Sequence, residues 1–154
     1  MIIDTMKETI GDFMRKNLIT IEESTSVQEA ANKMKEKNVS SLVVIDKTSR
    51  PQGLITERDL VRKVCTQDVS TSKLINKDIM SSPLITIDFN SSASEAVDMM
   101  LQNNVRHLLV VDSRSSEGRS KPIGIVTPLD FTRSGHFAGS DENDTIEKLL
   151  EYYI

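Results

Sequence analysis

Two kinds of apolar pattern alternate along this chain. Aliphatic residues at helical spacing follow a Ser-x-x-Glu sequence, first at Ser26 and again at Ser92, and that sequence is typical of a helix N-terminus. Asn38, which can take the left-handed conformation, is expected to end the first of these helices. Short aliphatic runs predict buried strands, and they cover residues 42–45, 53–56, 108–111 and 123–127.

A further helix is predicted after the second strand of each pair. Residues 58–65 should be helical, with Leu60, Val61 and Val64 directed inward. Residues 129–134 should form a shorter helix, because proline precedes them and glycine follows. The remaining predicted segments are extended at residues 18–21 and 84–87, and helical at residues 5–13 and 145–153.

The same pattern occurs twice because the chain contains an internal repeat. Residues 12–46 align with residues 78–112 without a gap, and 15 of these 35 positions are identical. Five extra residues then fall in a polar loop over residues 113–121, where insertions are tolerated. Beyond that loop the aligned pairs are Pro51 and Pro122, Gly53 and Gly124, Thr56 and Thr127, and Asp59 and Asp130.

Each copy places a Thr-x-x-Asp sequence where a strand is predicted to meet a helix. Thr56 with Asp59, and Thr127 with Asp130, have the spacing of a capping box that satisfies the first backbone N–H groups of a helix. The same junction also suits a phosphate, because those N–H groups attract anions. Both interpretations of the pair remain open at this stage.

Composition narrows the classes of function. The chain has 154 residues and a formal net charge of −4, which argues against a general nucleic-acid or membrane-surface role. Its one cysteine, Cys65, excludes an internal disulfide framework, and no Cys/His spacing suggests a metal site. No export signal or membrane-length apolar segment is recognisable, so we expect a cytoplasmic protein without a membrane span.

Six short sequences, three in each copy, carry a resemblance to a known family. They are Met14-x-x-Asn-Leu-Ile-Thr-Ile21, Val39-Ser-Ser-Leu-Val-Val-Ile-Asp46 and Gly53-Leu-Ile-Thr-Glu-Arg-Asp-Leu60, then Met80-Ser-Ser-Pro-Leu-Ile-Thr-Ile87, Val105-Arg-His-Leu-Leu-Val-Val-Asp112 and Gly124-Ile-Val-Thr-Pro-Leu-Asp-Phe131. In this order they resemble a tandem pair of cystathionine β-synthase-type (CBS) domains, a Bateman module. The resemblance covers the chain from about Thr9 to Arg133.

The resemblance implies an α+β fold made of two β-α-β-β-α units that pack sheet to sheet with pseudo-two-fold symmetry. The expected boundaries are residues 9–66 and 75–136 for the two units and residues 140–154 for a helical tail. In the family, clefts between such units bind adenosine-containing ligands, and pairs commonly dimerise. The resemblance therefore also implies a homodimer.

The ligand residues that the resemblance implies fall at matching positions of the two copies. Asp59 and Asp130 should accept hydrogen bonds from ribose, and Thr56 and Thr127 should lie beside the phosphate or ribose. The adenine should lie against the apolar and backbone groups of the sequences Ile19-Thr20 with Val39, and Ile85-Thr86 with Val105.

The two copies differ at the positions expected to meet phosphate. Ser40 and Ser41 precede the central strand in the first copy, where Arg106 and His107 stand in the second. Arg58, inside the first Thr-x-x-Asp, corresponds to leucine in the second. Each predicted site therefore has a cation, which comes from the Thr-x-x-Asp sequence in the first copy and from the start of the central strand in the second.

The sequence favours a regulatory module over an enzyme. Cys65 has no recognisable Cys-His arrangement, and His107 and His136 are the two histidines of the chain, so no catalytic residue is assigned. We expect AMP, ADP or ATP as the regulatory ligand, and AMP is the preferred candidate. A regulatory module of this kind can also act on a protein target, which the sequence does not identify. The alternatives are S-adenosylmethionine as ligand, an interaction scaffold with empty clefts, and a nucleic-acid binder that uses Arg106, Arg114, Arg119 and Lys121.

Overall fold

The computed structural model describes residues 8–114 and 121–133, together with Glu147 and Glu151. Contacts divide the chain into two compact units, Leu18–Leu84 and a second made of Met1–Asn17 with Ile85–Ile154. The described helices and strands are α1 (Ile10–Phe13), β1 (Thr20–Glu22), α2 (Val27–Lys37), β2 (Ser41–Ile45), β3 (Pro51–Thr56), α3 (Glu57–Asp59), α4 (Asn76–Ile79), β4 (Thr86–Asp88), α5 (Ala93–Asn103), β5 (Leu108–Asp112), β6 (Lys121–Val126) and α6 (Pro128–Arg133).

Each unit contains a three-stranded mixed sheet, so the α+β fold class is confirmed. In the unit of residues 18–84 the order is β1-β2-β3, with β1 parallel to β2 and β3 antiparallel to it. The second unit repeats this arrangement with β4-β5-β6. The central strands β2 and β5 are apolar over four consecutive buried or nearly buried positions because they have a neighbour on each side and are covered by packed helices.

Local signals fix the ends of the long helices where the sequence predicts them. The Ser26 hydroxyl accepts a hydrogen bond from the Glu29 backbone N–H at 3.2 Å, and Ser92 with Glu95 forms a complete capping box. Asn38 ends α2 in the left-handed region with φ 52° and ψ 49°. The predicted starts of both helices and the end of α2 are confirmed.

The compact units differ from the sequence repeats because two short segments are exchanged between the repeats. Helix α1, at the start of the first repeat, packs in the unit of the second, where the Ile10 N–H donates to the Ser91 carbonyl at 2.9 Å. Helix α4, at the start of the second repeat, packs in the unit of the first, where the Asn76 N–H donates to the Thr25 carbonyl at 2.9 Å. We call residues 9–15 and 75–81 the exchanged segments.

Both exchanged segments continue into a short antiparallel bridge beside the last strand of the unit. Arg15 pairs with Ile125 of β6, and Ser81 pairs with Leu54 of β3. The N–H groups of Arg15 and Ile125 each donate to the other's carbonyl, at 2.8 and 3.1 Å. Each sheet is thereby extended on its β3 or β6 side by a residue from the exchanged segment.

The predicted helix over residues 58–65 is present, but it is not a regular α-helix. The α-helical turn α3 is followed by a π-helical turn over Leu60–Val64, closed by a hydrogen bond from the Cys65 N–H to the Leu60 carbonyl, and then by a 3-10 turn. The wider π turn changes the angular spacing of side chains. Val64 is buried and Leu60 half-buried, but Val61, predicted to be directed inward, is 58% exposed.

Two predicted terminal helices extend beyond the described residues. Of residues 5–13, the structure describes helix α1. Of the tail, it describes Glu147 and Glu151, both helical and exposed. The other residues of these two predictions, and the loop over residues 115–120, lie outside the described part of the chain.

Candidate functional site

The predicted ligand residues of the first copy meet at one edge of its sheet. Because β1 is parallel to β2 and β3 is antiparallel to it, the beginnings of β1 and β2 share an edge with the end of β3. Ser41 of β2 pairs with Thr56 of the adjacent strand β3, and the Ile19 carbonyl accepts from the Val43 N–H at 2.9 Å. Thr20, Val39, Ser40 and Arg58 adjoin these strand ends in sequence. We call this edge the Thr56 edge.

The second copy builds the same edge in its own unit, which we call the Thr127 edge. Leu108 of β5 pairs with Val126 of the adjacent strand β6, and the Ile85 carbonyl accepts from the Leu109 N–H at 3.0 Å. The residues next to these strand ends are Thr86, Val105, Arg106, His107, Thr127 and Asp130. Arg106 is exposed and His107 is half-buried. The residues assigned by resemblance in each copy therefore converge on one edge of the corresponding unit.

Thr56 and Asp59 form a reciprocal cap at the junction of β3 and α3. The Asp59 N–H donates to the Thr56 hydroxyl at 3.2 Å, while Asp59 Oδ2 accepts from the backbone N–H and hydroxyl of Thr56 at 3.0 and 3.1 Å. The capping-box interpretation of the Thr-x-x-Asp sequence is confirmed as local structure. The ribose role of Asp59 stays a prediction.

The other oxygen of Asp59 is held by the exchanged segment. Asp59 Oδ1 accepts from the Ser81 hydroxyl at 2.8 Å and lies 3.1 Å from Lys63 Nζ. Lys63 also donates to the Ile79 carbonyl at 2.9 Å, so it ties the π-helical turn to the same segment. Four donors surround a carboxylate that is 6% exposed, and together they occupy about the four acceptor positions that a carboxylate offers.

Asp130 has a similar environment with one difference. Its Oδ2 accepts from the Thr127 backbone N–H at 2.8 Å and from the Thr127 hydroxyl at 3.1 Å, and its Oδ1 accepts from Arg15 Nε at 3.2 Å. Among the described residues these are three donors, on a residue that is 4% exposed. Asp130 therefore retains about one acceptor position that Asp59 does not.

The sequence analysis missed the partners of both carboxylates. Arg15 and Ser81 are the residues that follow the aligned pair Met14 and Met80, so they occupy matching positions of the repeat. Alignment of the repeats could have identified that position as structurally equivalent. The side chain at this position is arginine in the first copy and serine in the second, so a comparison limited to identical residues does not find it.

A further missed cation lies at the Thr56 edge. Lys33 lies on α2, its side chain is half-buried, and its Nζ donates to the Thr20 carbonyl at 2.6 Å. Met99 occupies the matching position of α5. The first copy therefore has an ammonium group at a predicted ligand residue where the second has a thioether.

A proline produces a second difference between the two edges. The Glu57 N–H donates to the Ser40 carbonyl at 3.0 Å and joins β2 to the start of α3. Pro128 stands at the matching position and has no N–H, so it cannot donate that hydrogen bond to Arg106. Leu129, which replaces Arg58, is 55% exposed.

The carboxylates with lowered pKa lie at the opposite edge of the sheets. The Thr48 hydroxyl, 2.7 Å away, is the largest cause that holds the pKa of Asp46 below 3.8. The Ser113 hydroxyl does the same to the pKa of Asp88. Their stabilising effect is present above the ordinary carboxyl pKa and is lost as pH falls through the lowered pKa. These residues fix turns.

Within residues 8–114 and 121–133, no three His, Cys, Asp or Glu residues are grouped so that they could hold a metal ion. In the same ranges no helix has the length and apolar character needed to cross a membrane.

Comparisons with known proteins agree with the repeat and the fold. The family model for the CBS domain matches residues 10–65 and 77–136. An uncharacterized protein of Methanopyrus kandleri is 34% identical over 143 residues, which are 93% of this chain and 70% of the relative. The crystal structure of an uncharacterized protein from Pyrococcus horikoshii is 31% identical, with a TM-score of 0.73 over 88% of this chain and 97% of that one.

A hexameric CBS-CP12 protein from bloom-forming cyanobacteria has the same fold. It is 24% identical, with a TM-score of 0.73 over 93% of this chain and 82% of that one. The family matches span most of the chain and coincide with the two sequence repeats. This chain belongs to the CBS-domain family, as a tandem pair of CBS domains.

Proposed function

We propose that this protein is a regulatory module that senses an adenosine-containing ligand, with AMP as the first candidate. The observation that carries the proposal is the convergence, at one edge of each sheet, of the Thr56 or Thr127 hydroxyl, aliphatic side chains and at least one cationic side chain. Such a combination can receive an apolar base, a sugar and a phosphate together. ADP, ATP and S-adenosylmethionine share the adenosine and are the alternatives within this proposal.

The Thr127 edge is proposed as the stronger of the two sites. Asp130 has three hydrogen-bond donors against four at Asp59, so it is better able to accept a ribose hydroxyl. Arg106 and His107 adjoin this edge, whereas Ser40 and Ser41 stand at the matching positions of the other. A phosphate gains more from cationic groups than from hydroxyl groups.

Binding should change the contacts of the module with itself or with a protein target. In this proposal no step of catalysis takes place in the chain. A scaffold without ligand and a nucleic-acid binder are the rival functions. The net charge of −4 disfavours nucleic acid, and the presence of Thr and Asp in both copies favours a ligand over an empty scaffold.

Asp130→Asn is expected to weaken AMP binding about tenfold to a hundredfold at the Thr127 edge. Loss of a hydrogen bond to a charged group costs about 1.5–3 kcal/mol, which corresponds to that range. Calorimetric titration of the wild type and the variant with AMP, ADP, ATP, S-adenosylmethionine and GMP gives both affinity and base preference.

Asp112→Asn is the matched control for this titration. Asp112 lies in the same unit, at the opposite end of β5, and pairs with Arg114. It should leave AMP affinity unchanged, and thermal unfolding of both variants measures any common loss of stability. Equal weakening in the two variants, or no binding of any adenosine compound by the wild type, contradicts the proposed site.

We also propose that the chain forms a homodimer through the helical segments that follow β3 and β6. Two large apolar residues of these segments, Val64 and Phe131, are buried in the cores of their units and are not available to an interface. Val61 and Leu129 are instead the apolar residues that these segments expose, at 58% and 55%. Each is a large apolar side chain on the surface of its own unit, and contact with a second copy of the chain would remove it from water.

The double substitution Val61→Glu with Leu129→Glu should convert the dimer into a monomer. Light scattering coupled to gel filtration measures the mass at tens of micromolar protein. Val69→Glu serves as control because Val69 is also exposed, at 41%, but lies outside both segments. A wild-type monomer would exclude the dimer, and a dimer that survives the double substitution would place the interface elsewhere.

A further inference from the structure

The exchanged segment over residues 9–15 fixes a guanidinium group at the Thr127 edge. The backbone of Arg15 is held on both sides by its reciprocal hydrogen bonds with Ile125, at 2.8 and 3.1 Å. Ile125 is two residues before Thr127. The main chain of Arg15 is therefore positioned by the strand that leads directly into the candidate site.

The side chain of Arg15 is oriented by the buried carboxylate of the same site. Its Nε donates to Asp130 Oδ1 at 3.2 Å, while the other oxygen of that carboxylate accepts from Thr127. Arg15 and Thr127 therefore bind the two oxygens of the same carboxylate. The Asp130 side chain is 2% exposed, but the Arg15 side chain is 37% exposed and reaches solvent.

Most hydrogen-bonding capacity of this guanidinium remains unused within the described part of the chain. Arginine has five N–H donors, and the recorded contact with Asp130 uses the one on Nε. The two terminal amino groups form the planar fork that matches phosphate oxygens in a bidentate contact. A half-exposed fork, held at its base by a buried carboxylate, is already oriented for an anion.

The first copy shows what the same position does when it has no guanidinium. Ser81 replaces Arg15, and the ammonium group comes from Lys63 instead. Lys63 Nζ has three partners, which are Asp59 Oδ1, the Ile79 carbonyl and the Ser81 hydroxyl. An ammonium has three donors, so Lys63 is saturated while Arg15 is not.

We propose that Arg15 selects the phosphate-bearing form of the ligand at the Thr127 edge. The inference rests on the proposed function. It adds Arg15, a residue of the first repeat, to a site whose other residues all come from the second repeat. Its reason is electrostatic. A buried Asp130 carboxylate repels a phosphate unless a cation neutralises it, and Arg15 both neutralises that charge and offers two further donors.

Neutral and anionic ligands therefore depend on Arg15 to different extents. Adenosine has no phosphate, so its affinity should change little when the guanidinium is removed. AMP loses the bidentate contact and meets an uncompensated carboxylate. The ratio of AMP affinity to adenosine affinity is the quantity that reports this role, and the fraction of folded protein cancels from it.

The test is calorimetric titration of the full chain with AMP and with adenosine. In Arg15→Gln the ratio of AMP to adenosine affinity should fall by about tenfold or more, because a charge-assisted hydrogen bond is lost. Arg15→Lys should restore part of the ratio, since it restores the charge but not the fork. Lys16→Gln is the matched control, because it removes an exposed cation at the next residue, and it should leave the ratio unchanged.

The outcomes separate this inference from the proposed function. If Arg15→Gln weakens both ligands equally, Arg15 only orients Asp130 and the inference is overturned. If the wild type binds adenosine and AMP equally well, the inference fails while the adenosine site stands. If the wild type binds neither, both fail.

Discussion

Phe131→Ala is expected to lower the free energy of unfolding by about 3–5 kcal/mol, the usual cost of emptying a buried aromatic position. Phe131 is fully buried on α6, and its ring meets that of Phe13 edge to face, with centroids 5.4 Å apart at an angle of 70°. Phe13 belongs to the exchanged segment, so the substitution removes a contact that holds α1 in this unit.

Denaturant unfolding followed by circular dichroism measures this loss. Thr132→Ala is the control, because Thr132 is the next residue on the same helix but is exposed, and its substitution should change stability by no more than about 0.5 kcal/mol. Similar losses in the two variants would mean that Phe131 is not the core residue that the structure shows.

Gly53→Ala and Gly124→Ala are each expected to destabilise the protein by about 1–3 kcal/mol through overpacking. A Cβ at Gly124 would lie 2.7 Å from the Arg15 carbonyl oxygen, and one at Gly53 would lie 2.8 Å from the Ser81 carbonyl oxygen. Both obstacles are backbone atoms of the exchanged segments. They cannot move aside without breaking the bridges to β3 and β6.

Thermal unfolding of the two variants beside Gly11→Ala checks the cause. A Cβ at Gly11 would meet the Phe89 ring at 3.2 Å, and a side chain can yield more easily than a backbone carbonyl. The Gly11 variant should therefore lose less stability than either of the others. Equal losses in all three would show that close backbone approach is not what requires glycine at residues 53 and 124.

The sequence predicted the elements of each unit because their signals are local. A Ser-x-x-Glu pair marks where α2 and α5 begin, and a left-handed asparagine at Asn38 marks the end of α2. The exchange of segments has no such signal, since Arg15 and Ile125 pair across most of the chain. The π-helical turn was also missed, because apolar spacing predicts a helix but does not distinguish an α-helical from a π-helical turn.

The candidate site was predictable to a similar extent. Alignment of the repeats identified Thr56, Asp59, Thr127 and Asp130, and the structure brings each pair together at the junction that the sequence suggested. The second carboxylate oxygen of each pair is held by a residue of the other repeat's leading segment, Ser81 for Asp59 and Arg15 for Asp130, and Asp59 is also held by Lys63 of its own copy. Spacing within one copy could have indicated the pair of Asp59 and Lys63, which are four residues apart, but not Arg15 or Ser81.

The exchanged segments also set an order in which the protein can fold during synthesis. The unit of residues 18–84 is continuous, so it can complete as soon as its last residue has left the ribosome. Helix α1 has no native place until β6 and α6 exist, since 115 residues separate Arg15 from Asp130. Until then its apolar residues Ile10 and Phe13 lack their native partners.

During that interval α1 can compete with α4 for the first unit, because the two helices are copies that use matching backbone contacts. Asn76 favours α4 in this unit. It is fully buried, and its side-chain Nδ2 donates to the Glu22 carbonyl at 2.9 Å and to the Thr25 hydroxyl at 2.8 Å. Ile10 stands at the matching position of α1 and can form neither bond, so a polar residue inside the core of the first unit favours α4 over α1 there.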